Sequence, residues 1–394
     1  MKRRARVLAA VTAVTALGLA AMSFVGASAN AEPSHGKPVT VMTRNLYLGA
    51  DINRPVLAAL AAQAQGKPPQ DILVALANAT HVTRAIVDQT NFPVRAGLLA
   101  QEIDRTEPDL IGLQEVALWR SGPLQLNQVG VPNATTVDYD FLDILLKALA
   151  ERGQEYVPVS IGDRADVEAP SFTGSPFNGT IGADARDVRL TMRDVVLMNT
   201  RRGFKALDSG GAIYTHNLNI DILGNTLNFD RGYQWVDVKA GVARFRFVNT
   251  HLEAFSSDLA LAQAQELLAN APAGDRPTIF VCDCNSDPLN NSIKPIDHVP
   301  HKAPYDLITG PGGFTDQWLQ FKPAEEGWTS GLSELVNDPT ADGFDHRIDM
   351  VFTRRGNLRV IGGEVTGTQV SYRDPATGLW PSDHGGVVLT FRGL

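Results

Sequence analysis

The pattern of apolar residues predicts an α/β fold, with short strands alternating with amphipathic helices and sheets lying beneath helical layers. Three observations lead there. An apolar strand at 39–46 precedes residues at helical spacing and then a second strand at 109–114. The second half of the chain is cut into short apolar runs by Gly, Pro, Asn and Asp. Several of these runs end in a carboxylate, an amide or an imidazole, and open α/β sheets build their sites at strand ends.

The chain starts with Lys2, Arg3, Arg4 and Arg6, which feed a small and apolar run reaching about Val25 and then Ala29, Asn30, Ala31. This is the layout of a secretory signal peptide. It predicts cleavage after Ala31, a short tail over 32–38, a single catalytic domain over 39–394 and a secreted protein. Residues around the Arg3, Arg4 pair lack the flanks of a twin-arginine signal, which favours general secretion.

Helical spacing runs over 56–65 and 72–87, broken by Gly66, Lys67, Pro68 and Pro69. Pro93 opens a third helix through Ile103, and Glu107 with Pro108 stops it before the strand at 109–114. Residues 121–138, rich in Gly, Pro, Asn and Thr, read as loop, followed by a helix over 141–149 and a strand over 156–161. A long loop is expected over 168–182. Strands follow at 194–198, 214–223, 226–229, 233–238, 243–250, 278–282, 347–353 and 387–391, with Gly224 and Asn225 as a hairpin turn and one helix over 259–270.

The full chain carries 35 basic and 43 acidic residues. Loss of the leader removes four of the cations and no acid, leaving 31 against 43, a net charge of −12. That excludes a protein holding polyanions through charge alone. Beyond the leader, no run approaches the roughly 18 consecutive apolar residues of a spanning helix, so no stable membrane span is expected. Cys282 and Cys284 are separated by one residue. On an extended strand they point the same way from backbones poorly spaced for a bridge, which predicts two free thiols.

Polar residues with chemical potential stand in fixed contexts: Asn45 after Val-Met-Thr-Arg, Glu115 in Leu-Gln-Glu-Val, His251 in Asn-Thr-His-Leu, Asp283 and Asn285 in Cys-Asp-Cys-Asn, Asp349 in Arg-Ile-Asp, and Asp383 with His384 in Ser-Asp-His. In this order the series resembles the motifs of the endonuclease/exonuclease/phosphatase superfamily, over about Val39 to Phe391. That superfamily includes deoxyribonucleases, abasic-site endonucleases, neutral sphingomyelinases and inositol-phosphate phosphatases. Two departures are visible: cysteines flank Asp283 where the family usually has Gly-Asp-Phe-Asn, and about 40 residues, 49–92, are inserted after Asn45.

The resemblance implies a four-layered α/β sandwich (α+β by some schemes), two packed mixed sheets flanked by helices, and a metal-dependent phosphoesterase. Glu115 would be the principal ligand of Mg2+, with Mn2+ or Ca2+ as alternatives, and Asn45 and Asp383 would stand nearby. Hard cations of this kind prefer such oxygen donors. Asp283 would orient or deprotonate the attacking water, Asn285 would donate to a phosphate oxygen, and His384, held by Asp349, would contact the phosphoryl group. His251 would donate a proton to the leaving group. Arg193, before the strand at 194–198, is expected either to add a guanidinium on phosphate or to be a surface cation. The base stays open between Asp283 and His384.

Two imidazoles favour a phosphodiester over a phosphomonoester, because a leaving alkoxide benefits from a proton donor. Nucleic acid and phospholipid stand level as substrates. The apolar run over 211–235 allows a transient contact with a membrane surface, or simply packs on a core. The alternatives are a phosphomonoesterase on sugar, inositol or nucleotide phosphates, and a non-catalytic binding protein of the same fold. A zinc hydrolase lacks its His-x-x-x-His signature here. No obligate protein partner is indicated.

Overall fold

The computed structural model describes residues 37–272 and 274–393, so the expected signal peptide lies outside the described residues. β1 (Val39–Asn45) leads into α1 (Asn53–Ala64), α2 (Pro69–Gln89) and α3 (Phe92–Thr106). The strands β2 (Leu110–Gln114), β3 (Leu118–Pro123) and β4 (Thr136–Asp140) precede α4 (Phe141–Glu151). Next come β5 (Tyr156–Ser171), β6 (Arg186–Asn199), β7 (Phe204–Ile213), β8 (Leu218–Ile222), β9 (Asn225–Phe229), β10 (Gly232–Ala240) and β11 (Ala243–His251). The chain closes through α5 (Ser257–Asn270), β12 (Thr278–Asp283), α6 (Ala303–Thr309), β13 (Thr315–Asp316), α7 (Gln317–Phe321), β14 (Asp349–Arg354), β15 (Arg359–Thr366) and β16 (Gly386–Arg392).

One sheet has the order β15-β16-β1-β2-β6-β3-β4, with β5 on β6; the other runs β13-β14-β12-β11-β10-β7. Both are mixed. β1 is parallel to β2 and antiparallel to β16, while β11 is parallel to β12 and β12 antiparallel to β14. The register carries a functional consequence. His251 lies opposite Asp283, and Asp283 opposite Asp349, so three adjacent strands present these residues in one row.

The sheets face each other through a slab of buried apolar side chains that includes Val41, Val196, Val236, Phe247, Ile279, Val281, Val351 and Leu389. Gly112 marks a close approach between them: a Cβ there would stand 2.4 Å from the Val281 side chain and 2.6 Å from Asn249 Oδ1. α1 to α4 cover the outer face of the first sheet, and α5 and α6 that of the second. This is the four-layered sandwich that the resemblance implies.

Several local expectations are corrected. β3 and β4 cut into the expected loop at 121–138, and β5 runs on to Ser171, beyond the expected loop start at 168. β7, with mostly exposed side chains, has no apolar run to announce it. The strand expected over 214–223 begins only at Leu218, because Tyr214 turns inward and its hydroxyl bonds that of Thr250. The run over 211–235 mostly packs inward: Tyr214, Ile222, Phe229 and Tyr233 are buried, and Ile213 is half-exposed. The inserted stretch forms α1 and α2, whose Val56, Ile72, Leu76 and Val87 join the core.

Candidate active site

The ends of β1, β2, β11, β12 and β14 meet the loop carrying Asp383 and His384 on one rim. Asn45, the last residue of β1, donates from Nδ2 to Asp283 Oδ2 at 2.9 Å and accepts from the Tyr47 amide at 2.7 Å. Glu115 follows β2, and its Oε2 accepts the Leu48 amide at 2.8 Å. Asp283 Oδ2 also lies 3.4 Å from His251 Nε2 and 3.9 Å from His384 Nε2. Asp349 Oδ2 bonds His384 Nδ1 at 2.8 Å, which leaves Nε2 turned toward Asp283 and Asp383.

Backbone geometry at the rim is costly. Tyr47, Glu115 and Asn285 take positive φ of 58°, 56° and 43°, a region that residues with a Cβ rarely adopt. Such conformations persist where surrounding bonds over-determine them. Asn285 is held by its amide on Asp283 Oδ1 at 3.1 Å and by its Nδ2 on the Leu252 carbonyl at 2.9 Å.

Burial pushes the Glu115 and Asp383 carboxyls up, and Asp383 raises Glu115 further. The Asp283 carboxyl is pushed up to about 7 by burial and by the neighbouring Asp349. His384 stays cationic well above the ordinary imidazole range, because Asp349, Asp383 and Asp283 outweigh its burial. His251 is driven the other way, by burial and then by the Arg231 guanidinium. That direction favours the neutral ring, which keeps an N–H to donate.

Arg193 does not join the rim. Its Nε donates to the Val116 carbonyl at 2.9 Å and its Nη2 to Asp140 Oδ1 at 2.6 Å, the carboxylate that also caps α4. The phosphate-contact expectation is corrected, and so is the surface alternative, because Arg193 is buried and braces the turn after Glu115. Asn45, Glu115, His251, Asp283, Asn285, Asp349, Asp383 and His384 do come together.

The two cysteines are also corrected: Cys282 and Cys284 form a disulfide with Cα atoms 5.1 Å apart. An extended strand would separate them by about 6.6 Å. The chain contracts because β12 ends at Asp283, the Cys284 amide turns to the Ile348 carbonyl, and Asn285 enters the left-handed region. The Asp283 carboxylate is thus bracketed by a covalent link.

Sequence reasoning missed the supports. Arg231 Nη1 lies 2.8 Å from His251 Nδ1 and 3.1 Å from Nε2. It stands between two strands and carries no periodic signal. Arg44, beside Asn45, pairs with buried Glu102 and donates to the His384 carbonyl. Ser382 bonds the Asn45 carbonyl at 2.9 Å and accepts the His384 amide at 3.1 Å. Asn249 stitches the sheets, donating to the Leu113 carbonyl and accepting from Gln114. Of these, Arg44, Asn249 and Ser382 lie inside the quoted motifs without having been assigned a role, whereas Arg231 lies outside them.

The donor set fits a hard divalent cation. Glu115 and Asp383 are half-buried acids whose like charges repel each other, and Asp349 Oδ1 is buried without a partner. Asp283, Asp349 and His384 also bring ligand atoms within 4.8 Å of one another. His384 serves both groups, with its Nε2 3.9 Å from Asp383 Oδ1 and 3.9 Å from Asp283 Oδ2.

The model of the endonuclease/exonuclease/phosphatase family matches residues 88–384. No curated protein matches the sequence. Among solved structures, an endonuclease/exonuclease/phosphatase family protein from Bacteroides thetaiotaomicron is 17% identical, with a TM-score of 0.50 over 91% of this chain and 99% of its own. A mannosyl-6-phosphatase of the same organism is 17% identical, with a TM-score of 0.49 over 90% and 99%. The human nocturnin catalytic domain, with bound sulfate, is 15% identical, with a TM-score of 0.48 over 91% and 95%.

Proposed function

Because the chain belongs to the endonuclease/exonuclease/phosphatase family of phosphoester hydrolases, we propose that it is a secreted, divalent-metal-dependent phosphodiesterase. One observation carries the diester reading. The Asp283 carboxylate lies 3.4 Å from the His251 imidazole and 3.9 Å from that of His384, and their surroundings drive the two rings in opposite directions, His251 toward neutral and His384 toward cationic.

Asp283, with its carboxyl near 7, takes the proton of the attacking water, the role for which an acid poised at working pH is suited. His384, oriented by Asp349, gives charge and an N–H to the phosphoryl group, and Asn285 orients the turn beside it. His251 and Arg231 face the other side, where they hydrogen-bond the leaving oxygen; His251 passes it an N–H proton and regains one from Asp283, 3.4 Å away, so the proton taken from water ends on the alcohol. Glu115, Asp383 and Asn45 would hold Mg2+, which when bound neutralises the phosphate oxygens. Nucleic acid and phospholipid remain the two substrate classes of this reading.

Hydrolysis of bis(p-nitrophenyl) phosphate and of p-nitrophenyl phosphate, each with Mg2+ and with chelator, tests it. The diester should turn over faster, and only with metal. A faster monoester would overturn the diester assignment, and full activity in chelator the metal dependence. Export is tested separately: the protein in the culture medium should begin at Glu32.

A further inference from the structure

α3 buries one face, and the helical spacing that fills it with Phe92, Ala96, Leu99 and Ile103 places Arg95 on the same face. Arg95 is fully buried. An apolar residue would suit that position, because a buried guanidinium is costly unless its charge is paired and its donors are satisfied. Its donors are satisfied by carbonyls of three separate segments: Nη1 donates to Leu46 at 2.6 Å and to Pro381 at 3.2 Å, Nη2 to Tyr47 at 2.9 Å, and Nε to Thr90 at 2.7 Å. The rings of Tyr47, Phe92 and Phe141 surround the guanidinium carbon at 5.3, 5.0 and 5.9 Å.

All four acceptors are neutral, so among the described residues the Arg95 cation has no bonded counter-ion. Burial pulls its guanidinium down to about 10, and the carboxylates that act against that fall are Asp383 and then Glu115. These are the two acids assigned to the metal. The cation thus stands behind the metal carboxylates without touching them.

The segments that Arg95 joins are those that carry the same donors. Leu46 and Tyr47 follow Asn45, and the amides of Tyr47 and Leu48 hold Asn45 Oδ1 at 2.7 Å and Glu115 Oε2 at 2.8 Å. Pro381 comes from the other end of the chain and leads through Ser382 to Asp383. Thr90 closes the insertion, its hydroxyl donating to the Gly49 carbonyl at 2.8 Å. Tyr47, in the left-handed region at φ 58°, is bonded through its amide to Asn45 and through its carbonyl to Arg95, which holds a turn that would otherwise relax. A planar guanidinium suits this task because its N–H groups point in fixed directions toward acceptors on different segments.

We infer that Arg95 is a positioning residue for the metal centre: its guanidinium ties the segment of Asn45 to that of Asp383, so that the oxygen donors are assembled before the cation arrives. The inference rests on the reading of Asn45, Glu115 and Asp383 as the Mg2+ site. Charge and geometry act in opposite directions here. The Arg95 charge by itself repels Mg2+, so if charge were its whole effect, removing it would tighten Mg2+ binding. Loss of a positioning residue weakens it.

Calorimetric titration of the mature protein with Mg2+ alone separates the two. Arg95→Lys and Arg95→Met should each bind Mg2+ roughly ten- to hundredfold more weakly than the wild type, the scale for groups that orient metal ligands. Their phosphodiesterase activity should fall further at low Mg2+ than at saturating Mg2+. Equal or tighter binding by the folded variants would overturn the inference and leave the metal reading standing. A wild type that takes up no Mg2+ would remove the metal reading and the inference with it. A second measurement needs no variant: in the metal-free wild type the Tyr47 and Leu48 amides should already be protected from hydrogen exchange, and Mg2+ should add little. Protection that arises only with Mg2+ would mean that the cation assembles the segment, and would overturn the role of Arg95.

Discussion

The slab between the sheets and the rim at their ends are built by the same strands and obey opposite rules. In the slab, Val41, Phe247, Val281 and Val351 are buried against one another with no charge among them. Two to four residues along the same strands stand Asn45, His251, Asp283 and Asp349, equally buried but polar or charged. The slab gains stability from apolar burial. The rim gives some of it up, in left-handed backbone at Glu115 and Asn285 and in carboxylates held too close together. The difference shows how the fold separates stability from chemistry within a few ångströms.

Substitutions on the two sides should therefore fail in opposite ways. Asp283→Asn is expected to lower kcat on a phosphodiester by roughly 10² to 10⁴-fold, the scale for a positioned proton-transfer group. Its melting temperature in chelator should stay level or rise, because a buried charge among acids is removed. Glu115→Gln should do the same and also abolish any rise in melting temperature caused by Mg2+. A variant that unfolds instead would mean that the rim carries stability after all.

Phe247→Ala in the slab should cost about 3–5 kcal/mol in denaturant unfolding, through lost burial and the cavity left behind. The fraction that remains folded should keep its kcat. A large loss of kcat in folded protein would show that the slab and the rim are coupled more tightly than their separation suggests.

The pH dependence should split in the same manner. The Asp283 carboxyl, near 7 when folded and about 3.9 when unfolded, binds a proton in the native state over that window. Its contribution to stability is present below about 4 and is lost as pH rises toward 7. Activity should move the other way, rising about tenfold per pH unit up to an apparent value at or below 7, because the base must be ionised and a bound cation lowers it. Stability measured without Mg2+ and rate measured with it would reveal both slopes. Asp283→Asn should flatten the first.

The smallest effect is expected at the Cys282–Cys284 bridge. Closing so short a loop stabilises by only about 1.5 kcal/mol in the chain-entropy view. Cys282→Ser with Cys284→Ser should thus shift unfolding modestly and lower kcat by more than that shift implies, because the bridge shapes the turn that carries Asp283. A thiol titration of the denatured, unreduced protein should find no free thiol; two would restore the extended strand.

Local pattern carried the alternation of strands and helices, the helices of the insertion and the eight polar residues of the rim. Apolar periodicity reports which face of an element is buried, and motif spacing reports which strand ends bear chemistry; both are properties of neighbours in the chain. Only the tertiary structure decided the rest. Arg193 was drawn into bracing Val116 and Asp140, and Arg231 was brought against His251 from the turn between β9 and β10. The cysteine pair closed because β12 stops at Asp283, and a strand's end depends on what its partners do. The opposite directions in which His251 and His384 are driven also lay beyond the sequence. Burial and the nearest ion set them, and both depend on how β10, β11, β12 and β14 lie side by side.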